Sequence, residues 1–500
     1  MDNREIQRSW DYHNRTKHSP ESVRRNVHFL DWANHPLPFK IYPDLEPLRL
    51  PEETDQTGVS ALSAIAANTG VLRNAIPNLK ALTHLFYFSA GITKRRRYSG
   101  GEILFRAAAC TGALYETELY LVCGPLPDLT AGVYHFNPGD LSLRRLREGD
   151  YRGVVMQDAP AIVISTGTYW RNAWKYQDRT YRHFGWDNGT LLANLLAAAA
   201  AQGLPARLVC GFVDQEINRL LGLDTVREVS LSLVALGHSQ SGPPPRPADA
   251  APIEFETVPV SKSEVDYPAM REMHLASSLA TAEEVVQWRD SAASLPAPDL
   301  VGRLMPLAPL DDGRIPRDTI EEVVLRRGSS RRFQRESIGL AQFSTILDRS
   351  TGGIAADFLT PFGARLNDLY VVVHSVEGVT PGAYFYRDSA GLELLKHGQF
   401  RDQTAHLALD QDLAGNAAAA VFFLADLNVC LDRFGNRGYR AVQLEAGIIG
   451  GKMYLAAYSQ RLGATGLTFY DDEVVEFFSP HAAGKSAIFL VALGHPARQV

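Results

Sequence analysis

Val234-Ala235-Leu236-Gly237-His238 recurs as Val491-Ala492-Leu493-Gly494-His495, 257 positions later (495 − 238). Tyr181-Arg182 returns as Tyr439-Arg440, and Gly189 as Gly447, both 258 positions later. Leu119-Tyr120 returns as Leu369-Tyr370, and Gly132-Val133-Tyr134 as Gly382-Ala383-Tyr384, both 250 positions later. The matches keep their order, and their offsets drift slowly, as insertions make them drift. One five-residue identity arises by chance; an ordered series points to a duplicated unit.

Each copy carries the same coarse pattern. A helical region leads to a small-residue loop and a strand at 119–122 or 369–373. A glycine turn gives a second strand at 133–136 or 383–386, and a buried strand follows at 161–165 or 420–424. An Ala/Gly-rich helix at 190–202 or 446–461 comes next, and an apolar strand at 229–236 or 486–493 closes the copy. Strands in a meander with helices set beside them predict an α+β fold. Residues 239–247, with four prolines, cannot continue a strand or helix, because proline removes backbone donors and fixes φ. The expected organisation is an extended arm at 1–55, a first domain at 56–238, a proline-rich linker at 239–256, a connecting helical segment at 257–314 and a second domain at 315–500.

Composition excludes several classes. With 500 residues, 45% of them apolar, the chain has enough material for more than one core. Its net charge of −6 argues against a nucleic-acid binder. The basic run Lys94-Arg95-Arg96-Arg97 is a solvated face or a contact for a phosphate or an acidic peptide. Cys110, Cys123, Cys210 and Cys430 form no C-x-x-C pair, so no metal site is expected. The first forty residues carry many charges and no apolar h-region, and no apolar run is long enough for a membrane span, so a cytoplasmic protein is expected. Gly447-Ile448-Ile449-Gly450-Gly451-Lys452 has the wrong spacing for a phosphate loop and Met453 where a hydroxyl is required.

Three stretches could carry chemistry. Arg326-Arg327-Gly328-Ser329-Ser330-Arg331-Arg332-Phe333 follows an amphipathic segment. Guanidinium groups grip phosphate or an anionic ring edge bidentately, and alternate residues of an extended chain face one way. A solvated basic loop is the plain reading. Ala107-Ala108-Ala109-Cys110-Thr111-Gly112-Ala113-Leu114-Tyr115 is a small-residue loop that lets backbone approach a flat ligand; an ordinary tight loop is the plain reading. Lys175 and Tyr176 are potential proton carriers, or a solvated pair on a polar helix.

Arg-x-Ser-x-Arg-x-Phe after a helix resembles the signature of the nitroreductase-like flavoproteins, and the resemblance covers residues 60–238 and 315–498. It implies two tandem nitroreductase-like domains that form an intramolecular pseudo-dimer. It implies FMN as cofactor, held through phosphate, ribityl chain and pyrimidine edge by Arg327, Ser329 and Arg331. The small-residue loop resembles the family's Pro-Ser-x-Gly-Ala-Leu-Tyr loop, which places Thr111, Gly112, Ala113 and Leu114 against the flavin. Backbone amides at Gly466 and Leu467 are implied beside its reactive nitrogen, and Arg498 is a weaker phosphate candidate. Lys-Tyr followed by Arg-x-Tyr-Arg (residues 175–182) resembles the tandem, SagB-type branch that dehydrogenates thiazolines and oxazolines in peptides, with Lys175 and Tyr176 as catalytic residues.

The first copy has Ala66-Ala67-Asn68-Thr69-Gly70-Val71-Leu72 where the second has its arginines, and the second has Arg433-Phe434 where the first has Lys175-Tyr176. One composite flavin site per chain is therefore expected. The leading function is an FMN-dependent dehydrogenase of azoline rings in a small molecule or modified peptide. The alternatives are an NAD(P)H-dependent nitro or quinone reductase and a flavin-free scaffold in a biosynthetic complex. No nucleic-acid or membrane partner is expected, and a further homodimer stays open.

Overall fold

The computed structural model describes residues 2–52, 55–98, 101–155, 158–240, 242, 250–292, 295 and 298–497. Most of the proline-rich linker, and Arg498, lie outside the described residues.

The first half contains β1 (Pro47–Arg49), β2 (Ile92–Tyr98), β3 (Gly101–Arg106), β4 (Thr117–Cys123), β5 (Gly132–Asn137), β6 (Ser142–Glu148), β7 (Ala161–Thr168), β8 (Ala206–Val209) and β9 (Glu228–Leu236). The second contains β10 (Leu304–Met305), β11 (Phe333–Gln334), β12 (Asp368–Val373), β13 (Gly382–Arg387), β14 (Gly391–His397), β15 (Ala419–Ala425), β16 (Gly463–Leu467) and β17 (Ser486–Pro496). The first sheet runs β1-β6-β5-β4-β7-β9-β8, and β2 and β3 pair as a separate ribbon. The second runs β10-β14-β13-β12-β15-β17-β11, with β16 added to β17. Apart from β11, the two orders match strand for strand, and every named strand pair is antiparallel. β4, β7 and β15 are buried along their whole length, so they read as apolar runs rather than as alternating strands. The fold is α+β, built twice.

The long helices Thr180–Ala201 and Arg437–Ser459 pack against each other at the centre. Both begin ahead of the apolar pattern that marks them in the sequence. Their first turns carry arginines and tyrosines that are buried by pairing rather than by apolarity. The helices cross where Gly189 meets Gly447: a Cβ on Gly189 would stand 2.5 Å from the Gly447 carbonyl carbon. Gly189→Ala is therefore expected to destabilise the chain by about 1–3 kcal/mol, because the steric cost outweighs the helix propensity gained. A urea midpoint at or above that of the parent chain would contradict this packing.

Buried ion pairs close the junction symmetrically. Arg182 Nη1 and Arg179 Nη1 of the first half reach Asp471 of the second at 2.6 and 3.1 Å. Arg437 Nη1 and Arg440 Nη1 of the second reach Asp214 of the first at 2.6 and 2.8 Å. The self-complementarity of a two-fold interface is thus written within one polypeptide. It extends to the helices Gln7–Arg15 and Pro268–Ala276. Arg182 donates to the His13 carbonyl oxygen at 2.6 Å and Arg440 to that of His274 at 2.7 Å. The His18 and Leu279 amides donate to Asp471 and Asp214 at 2.8 and 2.9 Å.

Candidate active site between the two halves

The helix Ile320–Arg326 starts at a Thr319–Glu322 capping box and ends at Arg327. The chain then turns extended, and Ser330 donates its amide to the Ala464 carbonyl at 3.0 Å. This ties the arginine-rich stretch to the free edge of β16. Arg327 reaches into the first half: Nε donates to the Ala107 carbonyl at 2.9 Å and Nη2 to that of Arg106 at 3.2 Å. Ser329 Oγ lies 3.4 Å from Tyr454 Oη, and the Gly466 amide donates to the same hydroxyl. Arg327 also stands over the Tyr454 ring, 6.0 Å from its centroid. Leu467 continues the β16 ladder opposite Leu490. Arg331 is exposed.

The loop of the first half faces this edge. Thr111 donates its amide and hydroxyl to Asp187 Oδ1 at 2.8 and 2.9 Å. Gly112 has φ 66° and Ala113 φ 55°. A Cβ on Gly112 would come 3.0 Å from the Tyr176 hydroxyl, so only glycine leaves that hydroxyl in place. Leu114 packs with Trp170 and Trp174, from the helix Tyr169–Tyr176 that carries Lys175 and Tyr176.

Two titratable groups sit together, and burial moves their pKa values in opposite directions. Partial burial lowers the Lys175 pKa, and the positive charge of Arg331 from the other half lowers it further. Burial raises the Tyr176 pKa well above the usual phenol value, and Asp187, Cys110 and Glu116 push the same way against Arg331. Lys175 Nζ lies 5.2 Å from the Tyr176 ring centroid. Beneath them Cys110 Sγ is 3.2 Å from Glu116 Oε2 and 3.5 Å from Asp187 Oδ2. The sequence spacing showed no metal motif, yet these three groups meet within 4.8 Å of one another. Burial and the neighbouring Glu116 raise the Asp187 pKa well above the ordinary carboxyl value.

Sequence reasoning missed Tyr454 and Asp187. Tyr454 reads as a core aromatic on an apolar helix; its one signal is Leu196 at the equivalent position. Asp187 is an acid on a buried helix face, where a lone carboxylate is costly without partners. The Arg-x-Tyr-Arg half of the third motif serves the junction. Arg179 and Arg182 are bound to Asp471, and Arg437-x-Tyr439-Arg440 repeats the arrangement.

The equivalent place on the other side of the pseudo-two-fold is built differently. By strand register Leu208 stands where Gly466 does. Its amide is already given to the Ala355 carbonyl at 2.8 Å, and its carbonyl takes the Asp357 amide at 3.1 Å. Phe434, at the position of Tyr176, lies under Trp288, whose Nε1 donates to the Phe434 carbonyl at 3.0 Å. The cavity left there, about 460 Å³, is lined by residues 68–72 and 354–356, with Arg207 and His238 also at its wall. Residues 68–72 hold no arginine.

The model of the nitroreductase family matches residues 106–238 and 324–495, more than half of the chain and once in each half. The chain belongs to the nitroreductase family. A Methanocaldococcus jannaschii protein described as a nitroreductase is 25% identical to it over 168 residues, 32% of this chain and 80% of that one. A crystal structure of an Anabaena variabilis protein, also described as a nitroreductase, matches with a TM-score of 0.76 at 24% identity. It covers 98% of this chain and 99% of that one, so the doubled fold is shared from end to end. A chain from the E. coli microcin synthetase complex McbBCD with truncated pro-MccB17 bound matches with a TM-score of 0.30 at 19% identity, over 48% of this chain and 95% of that one. That likeness is too slight to speak for this chain's substrate. The protein is thus a nitroreductase-family oxidoreductase whose two halves form an intramolecular pseudo-dimer. No helix among its described residues is long and apolar enough to cross a membrane.

Proposed function

We propose that the chain is an FMN-dependent dehydrogenase of azoline rings, with one flavin site built from both halves. The observation that carries this reading is the placement of Lys175 and Tyr176 side by side against the Gly112 turn of the first half, within the field of Arg331 from the second, where burial lowers the lysine pKa and raises the phenol one. Separated pKa values are how a site assigns one group as base and its neighbour as acid. Lys175, with its ammonium disfavoured, is the group to accept the ring proton. Tyr176, kept protonated, donates a hydrogen bond and orients the ring.

The donors present fit FMN. Arg327, Ser329 and Arg331 would supply the phosphate, hydroxyl and ring-edge contacts. The Gly466 amide, which here donates to the Tyr454 hydroxyl, and the glycine turn at Gly112 would place backbone beside a flat ring. When bound, FMN supplies the two-electron acceptor. Arg327 fixes the loop to the grip through the Ala107 carbonyl, so both walls of the site are set by one side chain. Arg331→Ala is expected to weaken FMN binding by about 10–100-fold, the range for one charge-assisted contact. Unchanged retention of the flavin absorption band after gel filtration would remove Arg331 from the site.

The reading is tested by incubating the flavin-loaded protein with a thiazoline peptide and oxygen, without NAD(P)H. Loss of two hydrogens by mass spectrometry is the expected result. The description of the M. jannaschii relative as a nitroreductase favours a second reading, a reductase of nitro groups, which we take as NAD(P)H-dependent. NAD(P)H oxidation by a nitroaromatic, with the azoline peptide unchanged, would establish it instead.

A further inference from the structure

The basic run Lys94-Arg95-Arg96-Arg97 lies on β2, and nothing in the proposed chemistry uses it. Among the described residues, β2 and β3 pair only with each other. The ribbon leaves the first half after the helix Leu79–Ala90 and returns at Arg106, whose carbonyl takes Arg327 Nη2. The second half has no counterpart. There residues 352–356 alone separate the helix Leu340–Thr351 from Asp357, where the first half spends residues 91–106 before Ala107. The ribbon is thus an insertion confined to the half whose loop faces the open site.

Its charges are arranged along the strand. The register pairs Lys94 with Phe105, Arg95 with Leu104, Arg96 with Ile103 and Arg97 with Glu102. Successive side chains alternate faces, so Lys94 and Arg96 share one face and Arg95 and Arg97 the other. All four are exposed. The lone carboxylate of the ribbon, Glu102, stands 3.5 Å from Arg95 and 3.5 Å from Arg97. Among the described residues no ion pair engages Lys94 or Arg96.

We propose that the outer edge of β2 docks an extended acidic peptide segment as a third strand. An unpaired edge presents a row of amides and carbonyls that an extended chain can complete. A two-stranded ribbon is marginal alone and gains from a third strand. An acidic side chain at each successive position of that strand meets a cation, first on one face and then on the other. A net charge of −6 argues against a general nucleic-acid binder; the complementarity is local and strand-shaped. A segment docked here lies at the rim of the site through Arg106 and Ala107. The inference rests on the peptide-substrate reading only for what the segment leads to, because docking requires no turnover.

The test is fluorescence anisotropy of a labelled ten-residue glutamate-rich peptide on the flavin-loaded chain at low salt. Binding that weakens at least 10-fold in Lys94→Glu/Arg96→Glu, with the flavin band unchanged, is the expected result. A version of the peptide with proline at every second position should bind at least 10-fold more weakly. Absence of binding, equal binding by the charge-reversed variant, or equal binding of the proline peptide would overturn the inference. So would tighter binding of an RNA oligonucleotide of equal charge. Loss of azoline turnover with peptide binding intact would count against the enzyme reading and leave this one standing.

Discussion

Lys175→Ala is expected to lower azoline turnover by about 10²–10⁴-fold, the usual contribution of a positioned general base, while FMN stays bound. The Lys175 side chain reaches solvent and lies over the Tyr176 ring, so the loss should appear in kcat and not in stability. Lys175→Arg should be as inactive as the alanine variant, because a guanidinium does not release its proton at neutral pH. The pH profile fixes the sign. A lysine must be neutral to act as base, so the rate should rise with pH through the Lys175 pKa. That pKa lies below the ordinary lysine value because of burial and Arg331. The rising limb should move to higher pH in Arg331→Gln, assayed at saturating FMN. Tyr176→Phe should cost less, about 10-fold, because the ring remains and only the hydroxyl is lost. Full turnover by Lys175→Arg would end the assignment of the base.

Asp471→Ala is expected to destabilise the chain by about 3–5 kcal/mol, the penalty for stranding a buried partner charge. Arg179 and Arg182 are 4% and 0% exposed, and neither can turn to water. The substitution also removes the acceptor of the His18 amide. Burial alone would raise the Asp471 pKa, but Arg179 and Arg182 hold it well below the usual carboxylate range. A folded-state pKa below the unfolded one gives stability that is present above about pH 4 and is lost as pH falls. Urea unfolding of the parent chain should therefore weaken below about pH 4, and Asp471→Ala should lose that dependence in part. Asp214→Ala, on the opposite arm of the pseudo-two-fold, should cost a comparable amount. A change under about 1 kcal/mol at either position would mean that the junction does not hold the halves together.

Much of this was readable in the sequence, for identifiable reasons. The duplication shows because strand pairing and helix crossing demand the same residues twice: Gly189 and Gly447 at the crossing, and the ends of β9 and β17. The helices Gln7–Arg15 and Pro268–Ala276 share almost no residues, and their equivalence was invisible. They are held through the carbonyls of His13 and His274, which any residue provides. The residues proposed for a composite site stand out in the sequence through their asymmetries, Arg327–Arg331 on one side and Lys175-Tyr176 on the other. Trp288 was not legible as the residue that covers Phe434, because it comes from the connecting segment and reaches its place only in three dimensions. Nor were Tyr454 and Asp187, whose hydroxyl and carboxyl matter only once the loops of two halves converge on them.

The most direct measurement is the ratio of FMN to polypeptide in protein saturated with flavin and freed of excess. Leu208 has given its amide to the Ala355 backbone and Trp288 covers Phe434, whereas the Gly466 amide is held by a side-chain hydroxyl, that of Tyr454, and Arg331 is exposed, so the ratio should be close to one and should collapse in Arg327→Ala/Arg331→Ala. A ratio close to two, or a ratio of one that the double variant keeps, would contradict a single site shared between the halves.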